Sequence, residues 1–243
     1  MKELIMPEAM AKFSEVSAFT STRGWGNLDT RTGDPVARSN LQELCQHLNI
    51  CQTDVIKMEQ IHHGVVTDVS SSQLGETIIG VDGIVTNETG IFLSVVTADC
   101  QPVLLFDPVE HAIGAIHVGW KSNVAGIIDE TIDALGALYN VKPENLRVFI
   151  GPSLCVAHSR FSNPRRELPS VFHQFIVDEE KAGSTAGYVD WRAASRKQFL
   201  LAGVPVNQVE IFPACTACDT DTFFSLRGDR SIEGEQISLI GLR

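Results

Sequence analysis

Two histidines and one cysteine could bind a metal ion, and each lies at the end of a run that predicts a β-strand. His62 ends VIKMEQIH, Cys100 comes just after IFLSVVTA, and His117 ends AIGAIH. Because neighbouring strand ends meet at one rim of a sheet, we expect these side chains to converge. Two imidazoles and one thiolate suit a catalytic zinc with an open fourth position. The spacings of 38 and 17 residues match no local zinc pattern, so a buried thiol and two hydrogen-bonded histidines remain the alternative.

A feature suited to anions follows His117 directly. The segment HVGWKSN leads into a helix predicted over Val124–Tyr139, with Ser122 or Asn123 as its N-cap. The first free amides of that helix, at Asn123 and the next residue, would favour an anion of phosphate size beside the metal. Lys121 adds a positive charge there. An ordinary capped helix behind a tight turn is the alternative.

For other polar residues, the sequence gives weaker evidence of a catalytic or metal-binding role. Asp82 and Asp99 could each orient a metal-bound histidine or act as a general base, although a turn or cap aspartate is commoner. Cys215 and Cys218 form a C-x-x-C pair, but a turn and not a helix follows it, which disfavours a redox role. A zinc site would need a second C-x-x-C, which the sequence lacks. We therefore expect this pair to pack or to play a side role in the pocket.

The elements that must position these residues read as a mixture of strands and helices. Periodicity predicts helices over Arg38–Leu48, Val124–Tyr139 and Trp191–Ala202. Strands are predicted over Val55–His62, Gly83–Thr86, Ile91–Thr97, Val103–Phe106, Ile113–His117, Leu146–Ile150, Gln208–Phe212 and Gln236–Ile240. The stretch Ser159–Pro169 reads as a solvated surface loop. Spacing alone thus predicts a mixed α/β or α+β protein, with one domain over residues 1–243.

The composition and charge of the chain argue against some classes of function. The chain of 243 residues has 19 Lys and Arg against 30 Asp and Glu, a net charge of −11, which argues against a general nucleic-acid binder. The N-terminus lacks the apolar core of a signal peptide, and no apolar run approaches the roughly 20 residues that span a bilayer. We therefore expect a cytoplasmic protein with reduced thiols and no membrane partner. Among the six cysteines, Cys45 lies on the apolar face of the first helix.

Several longer motifs carry a family resemblance. They are STRGWGNL at 21–28, GDPVARSNL at 33–41, QIHHG at 60–64, VDGIVTNETGIFLSVVTADCQPVLLFDP at 81–108, AIGAIHVGWKSNVAGII at 112–128, IGPSL at 150–154, VDW at 189–191 and ACTACDTDTFFSLRGD at 214–229. The chain resembles the YfiH, or laccase-domain, family, once labelled multicopper polyphenol oxidases. The resemblance covers nearly the whole chain, and TADCxPVLL paired with HxGW is highly specific.

The resemblance implies a fold and an activity. The fold is α+β, with two stacked mixed β-sheets flanked by helices in four layers, as in a bacterial toxin deamidase. A zinc ion is implied at His62, Cys100 and His117. The implied activity is phosphorolysis of adenosine, inosine and methylthioadenosine, together with deamination of adenosine. The partners are then a purine nucleoside and phosphate, and the chain is a monomer or homodimer.

The same resemblance suggests roles for individual residues. The expected catalytic residues are Cys100, His117 and Asp99, the last orienting His62 or His117. The expected contacts to nucleoside or phosphate are Lys121, Arg227, Asn40 and Gln60. Arg227 could pair with phosphate or with ribose hydroxyls.

Four positions depart from the family pattern and keep other functions open. Lys121 and Leu41 each replace an arginine, Arg160 replaces a glutamate, and Glu235 replaces an arginine. A copper-dependent phenol oxidase is one alternative, although three ligands for one metal are too few for several coppers. A hydrolase using Cys100 with His117 is another. A diverged metal-binding protein with little catalysis is the third.

Overall fold

Fifteen strands and six α-helices are found in this computed structural model, which describes residues 1–179, 181, 183–231 and 233–243. The strands are β1 Leu4–Ile5, β2 Val16–Ser21, β3 Val55–Met58, β4 Val66–Asp68, β5 Thr77–Ile78, β6 Gly83–Thr86, β7 Phe92–Thr97, β8 Gln101–Asp107, β9 Ala112–Val118, β10 Arg147–Ile150, β11 Arg160–Phe161, β12 Ile176–Asp178, β13 Gly187–Val189, β14 Val209–Ile211 and β15 Gln236–Leu242. The helices are α1 Pro35–Leu48, α2 Trp120–Val124, α3 Ile127–Tyr139, α4 Pro164–Glu167, α5 Trp191–Leu201 and α6 Leu226–Asp229.

The strands form two six-stranded sheets and one small sheet. Sheet 1 has the order β1-β2-β15-β7-β3-β5, and sheet 2 has the order β14-β10-β8-β9-β6-β4. Both contain parallel and antiparallel pairs, since β3 runs parallel to β7 while β15 runs antiparallel to it. The third sheet has the order β11-β13-β12. The prediction of two mixed sheets is therefore confirmed, with the small sheet in addition.

Alternation along β8 shows how the two large sheets stack. Leu104 and Phe106 lie in a core shared with Ile56 and Leu93 of sheet 1. Val103 and Leu105, which alternate with these two residues, lie in a different core on the other face of sheet 2. Successive side chains of a strand point to opposite faces, so a strand covered on both faces is apolar throughout. This explains why β8 is buried along its full length.

Helices cover the two outer faces. Ile128 and Leu135 of α3 and Phe199 of α5 pack on sheet 2. On sheet 1, Leu41 and Leu44 of α1 contact Val55, Phe92 and Leu239, and Cys45 belongs to the same core. The α/β/β/α layering and the core position of Cys45 are thus confirmed. The buried position of Leu41 also accounts for an apolar residue there in place of arginine.

Three local predictions are wrong. The helix predicted over Val124–Tyr139 is broken, because Gly126 adopts a left-handed backbone conformation with φ 87° between α2 and α3. The strand predicted to reach His62 ends at Met58, and His62 lies in a loop with φ 60°. The stretch Ser159–Pro169 is not a plain loop, since it contains β11 and α4.

Among the described residues, no helix is both long and apolar enough to cross a bilayer.

Candidate active site

The three predicted metal ligands meet where the chain crosses from sheet 1 to sheet 2. Cys100 lies in the short link between β7 of sheet 1 and β8 of sheet 2. His62 follows β3, the neighbour of β7, and His117 lies in β9, opposite Pro102 of β8. The Cys100 sulfur and one nitrogen from each imidazole all lie within 4.8 Å of one another. The ligands therefore converge as expected, but they come from two stacked sheets and not from one rim.

Asp82 holds the two histidines in place. Its carboxylate accepts hydrogen bonds from the backbone N–H of His62 at 2.9 Å and of His63 at 2.6 Å. The Nδ1 atom of His117 lies 2.8 Å from the same carboxylate. A carboxylate on one ring nitrogen leaves the other to bind a metal. The orienting role predicted for Asp99 therefore belongs to Asp82.

Gly119 leaves the space that the ligands need. A Cβ at this position would lie 2.8 Å from Nδ1 of His62 and 3.1 Å from the sulfur of Cys100. Its φ is −79°, so the glycine is needed for close approach and not for backbone conformation. Two imidazole nitrogens and one sulfur, with the Asp82 carboxylate holding one imidazole in position, are donors that suit a divalent metal ion such as zinc.

The protonation of the ligands follows from their surroundings. Burial would lower the pKa of His117, but the Cys100 thiol and Asp82 raise this pKa to about 9. Burial and the nearby His117 lower the pKa of His62. Burial alone would raise the pKa of Asp82, yet hydrogen bonds from His117 and the two backbone amides lower it overall. Asp82 is therefore ionised at neutral pH and favours a positive ion beside it.

A cleft of about 230 Å³ opens on the Cys100 side of this site. One part of its lining is aromatic and comes from Trp120, Phe161 and Trp191. The Trp120 and Phe161 rings meet edge to face with their centroids 5.5 Å apart, and Phe161 and Trp191 are 6.0 Å apart. Arg227 also lines the cleft. The sequence analysis gave none of these aromatic residues a role, and it placed Phe161, which lies in β11, in a solvated loop.

Asp99 organises the wall that carries Arg227. Its carboxylate accepts hydrogen bonds from the hydroxyls of Thr216 at 2.8 Å and Ser225 at 2.5 Å, and from the Arg227 N–H at 2.8 Å. Asp99 is buried and has an unusual positive φ of 102°. Three charge-assisted bonds stabilise such a strained residue. The structure thus places Asp99 behind Cys100 as a support for the cleft.

Other residues predicted to contact the substrate lie around the site in different ways. Lys121 is exposed, and its ammonium group lies 5.7 Å from the centre of the Trp120 ring. The Gln60 amide donates to the Val96 carbonyl at 2.8 Å and accepts from the Val96 N–H at 3.0 Å, which anchors the loop before His62. Asn40 donates to the Asn27 carbonyl at 2.9 Å. Neither amide lines the cleft, so their predicted substrate contacts stay predictions.

The predicted amides of the anion site are placed differently. Helix α2 begins at Trp120, and the N–H of Asn123 donates to the Gly119 carbonyl at 2.8 Å. Asn123 therefore has no free amide to offer an anion. The five residues of α2 also give only a short run of aligned peptide dipoles.

Two of the departures from the family pattern form ion pairs. Arg160 donates to Glu179 at 2.7 Å on the surface. Glu235 pairs with Arg31, which also donates to Asp29 at 2.6 Å. Each altered charge is thus neutralised by a partner within the described structure.

Comparisons with known proteins extend these observations. The chain is 29% identical to a purine nucleoside phosphorylase of Bacteroides thetaiotaomicron, over 93% of this chain and 91% of that protein. It is 32% identical to a purine nucleoside phosphorylase of Streptomyces griseus, over 94% and 96% of the two chains. The crystal structure of the hypothetical protein YfiH of Bacillus licheniformis superposes with a TM-score of 0.89 at 24% identity, covering 99% and 96%. Residues 16–243 match the family described as multi-copper polyphenol oxidoreductase laccase, and the chain belongs to this family.

Proposed function

We propose that the protein is a zinc-dependent purine nucleoside phosphorylase that also deaminates adenosine, with adenosine, inosine and methylthioadenosine as substrates. One observation carries the proposal: a cleft lined by aromatic rings and by an arginine opens beside a cluster of side chains that could bind a metal ion. The names of the relatives support the phosphorylase activity. We also propose that residues 1–243 act as one domain, as a monomer or homodimer in the cytoplasm.

His62, Cys100 and His117 would hold the zinc, with Asp82 orienting His117. Zinc bound there would supply Lewis acidity toward a substrate oxygen or a water, the chemistry that deamination of a purine requires. The three ligands leave room for a fourth group, as catalytic zinc sites do.

The aromatic side of the cleft would bind the base. Trp120, Phe161 and Trp191 present rings on which a planar purine can stack. Stacking on aromatic side chains contributes about 1–3 kcal/mol for each base and tolerates differences between bases. This accounts for a substrate range that includes adenine and hypoxanthine nucleosides.

The cationic side of the cleft would bind phosphate. Arg227 can offer two parallel N–H donors to phosphate oxygens. The bond from its backbone N–H to Asp99 holds the residue at the cleft wall. Lys121 adds a point charge near the cleft, with its ammonium group 5.7 Å from the centre of the Trp120 ring. A phosphate held there would form a bond to C1′ of the ribose while the bond from C1′ to the purine breaks, and the departing purine would take up a proton.

The direct test is product analysis with purified, zinc-loaded protein. We expect inosine to yield hypoxanthine and ribose 1-phosphate only when phosphate is present, and adenosine to yield inosine without phosphate. Cys100→Ser should lose both activities, whereas Cys51→Ser, at an exposed free cysteine, should retain them. A zinc-loaded protein that releases no base and no ammonia would contradict the proposal.

The same samples separate the alternative activities. Copper-loaded protein that oxidises a phenol would favour the oxidase. Metal-free protein whose Cys100 is alkylated rapidly would favour a Cys–His hydrolase. Calorimetry that shows nucleoside binding without turnover would favour a binding protein.

A further inference from the structure

A second group of side chains that could bind a metal ion lies beside Thr216, which donates its hydroxyl to Asp99. It consists of Cys155, His158, Cys215 and Cys218, whose donor atoms all lie within 4.8 Å of one another. Cys155 and His158 flank a single helical turn, and the other two belong to the C-x-x-C turn. The group shares no residue with His62, Cys100 and His117, so it does not depend on the proposed enzymatic activity.

The distances within this group match those around a tetrahedral zinc ion. Bond lengths of about 2.3 Å to sulfur and about 2.0 Å to nitrogen place two sulfurs about 3.8 Å apart and a sulfur and a nitrogen about 3.6 Å apart. Nδ1 of His158 lies 3.5 Å from the sulfur of Cys155 and 3.6 Å from those of Cys215 and Cys218. The sulfurs of Cys155 and Cys218 are 3.9 Å apart. Four of the six edges of the tetrahedron are therefore present at their expected lengths.

A backbone amide and a guanidinium near the group favour a thiolate at Cys215. The N–H of Cys155 donates to the sulfur of Cys215 at 3.2 Å. Arg192 is held beside the thiols by a bond from its Nη1 to the Pro213 carbonyl at 3.0 Å. Three thiolates and one neutral imidazole around Zn²⁺ leave a formal charge of −1, which this guanidinium offsets.

A disulfide explains the group less well. All four side chains converge on one point, whereas a disulfide would use only two sulfurs about 2.05 Å apart and leave His158 without a function. The three cysteines are free in the structure. Turns at 216–218 and 220–222 surround the end of the pair and no helix begins there, so the pair lacks the helix N-terminus on which reactive C-x-x-C pairs depend.

We propose that Cys155, His158, Cys215 and Cys218 bind a second zinc ion, in a closed structural site of three thiolates and one imidazole. Four protein ligands without an open position are typical of structural zinc. The ligand spacing is C-x-x-H followed by C-x-x-C, so each half of the site is formed by one tight turn.

This zinc joins the two loops that form one wall of the cleft. Ser153 lines the cleft and forms a parallel β-bridge with Cys215. The adjacent Thr216 donates its hydroxyl to Asp99, which in turn binds the N–H of Arg227. Clamping the two turns together therefore positions residues on both sides of Asp99, and loss of the metal loosens the wall without removing a ligand of the first site.

Metal counting tests the proposal. We expect two zinc ions per chain in protein purified without chelators, by elemental analysis against protein concentration. His62→Ala should leave one zinc, and the double change Cys155→Ser with Cys218→Ser should also leave one. Cys51→Ser, the matched control at an exposed cysteine, should keep two.

Cobalt substitution then identifies the ligands. Cobalt–thiolate absorption in the near ultraviolet counts sulfur ligands, which number four over both sites. The double serine variant should keep only the Cys100 contribution, about one quarter of the signal, because two lost thiolates abolish tight binding at a structural site.

Two measurements on the unmodified protein keep the test independent of variant folding. Cys215 and Cys218 should resist iodoacetamide until a strong chelator is added, while Cys51 reacts at once. A zinc count that does not fall in the Cys155→Ser and Cys218→Ser double variant would overturn the proposal. An intact mass two hydrogens lower without reductant would overturn it in favour of a disulfide.

Discussion

Replacing Asp82 by asparagine tests how the metal ligands are oriented. The carboxylate is fully buried and accepts from His62 N–H, His63 N–H and His117 Nδ1 at 2.9, 2.6 and 2.8 Å. An asparagine can keep its oxygen toward His62 and His117, but its NH₂ group then faces the N–H of His63. One hydrogen bond is lost and two others lose their charge assistance.

Both the fold and the metal affinity should respond. Loss of one hydrogen bond to a buried charged group costs about 1.5–3 kcal/mol in the free energy of unfolding. Changes to partners of metal-bound histidines weaken metal binding about 10–100-fold, which equals about 1.4–2.7 kcal/mol. We therefore expect Asp82→Asn to bind zinc at this site 10–100-fold more weakly, by competition with a chromophoric chelator, and to unfold at lower denaturant concentration.

Asp107→Asn is the matched control. Asp107 is equally buried and accepts two backbone bonds, from Val109 at 2.7 Å and Glu110 at 3.2 Å. It lies at the opposite end of β8 from Cys100, about 23 Å away at 3.3 Å per residue. Both bonds end on the same oxygen, so asparagine can keep them, and the zinc affinity of this variant should stay unchanged. Equal zinc affinity in Asp82→Asn and the unmodified protein, or equal weakening in both variants, would refute the orienting role.

Three further predictions concern the same site. Gly119→Ala places a Cβ 2.8 Å from Nδ1 of His62 and should weaken zinc binding about 10–100-fold; Gly136→Ala, with its nearest neighbour at 3.5 Å, should leave chelator competition unchanged. Because the pKa of His117 is raised to about 9, its proton stabilises the metal-free fold below about pH 6.5, and this contribution is lost as the pH rises through about 9. Zinc must displace that proton, so its affinity should rise about tenfold per pH unit between about 7 and 9; a flat profile would contradict this. Arg227→Met should raise the KM for phosphate at least about tenfold with little change for inosine, whereas Arg165→Met, at an exposed ion pair with Asp178, should change neither constant.

Short-range patterns predicted most of the strands and helices, whereas the four-layer arrangement was implied by the family resemblance. The apolar face of α1 indicates which side of the helix is buried, and it consists of Leu41, Leu44 and Cys45. The uninterrupted apolar run of β8 reports a strand covered on both sides. The predictions failed where one residue changed the backbone path, as Gly126 does between α2 and α3. They also failed where a short polar stretch became structure through distant pairing, as Arg160 does opposite Tyr188.

The sequence by itself determined the residue types of the site and most of the strands near which they lie. His62, Cys100 and His117 could be selected because thiolate and imidazole are the donors that zinc prefers. Only the tertiary structure decided which groups meet: Asp82 with His117 across 35 residues, and His158 with Cys215 across 57. A C-x-x-C turn appears incomplete in the sequence, since its partner C-x-x-H lies in another loop. Hydrophobic periodicity reports local burial, whereas the meeting of two loops depends on the stacking of two sheets and on the paths between them.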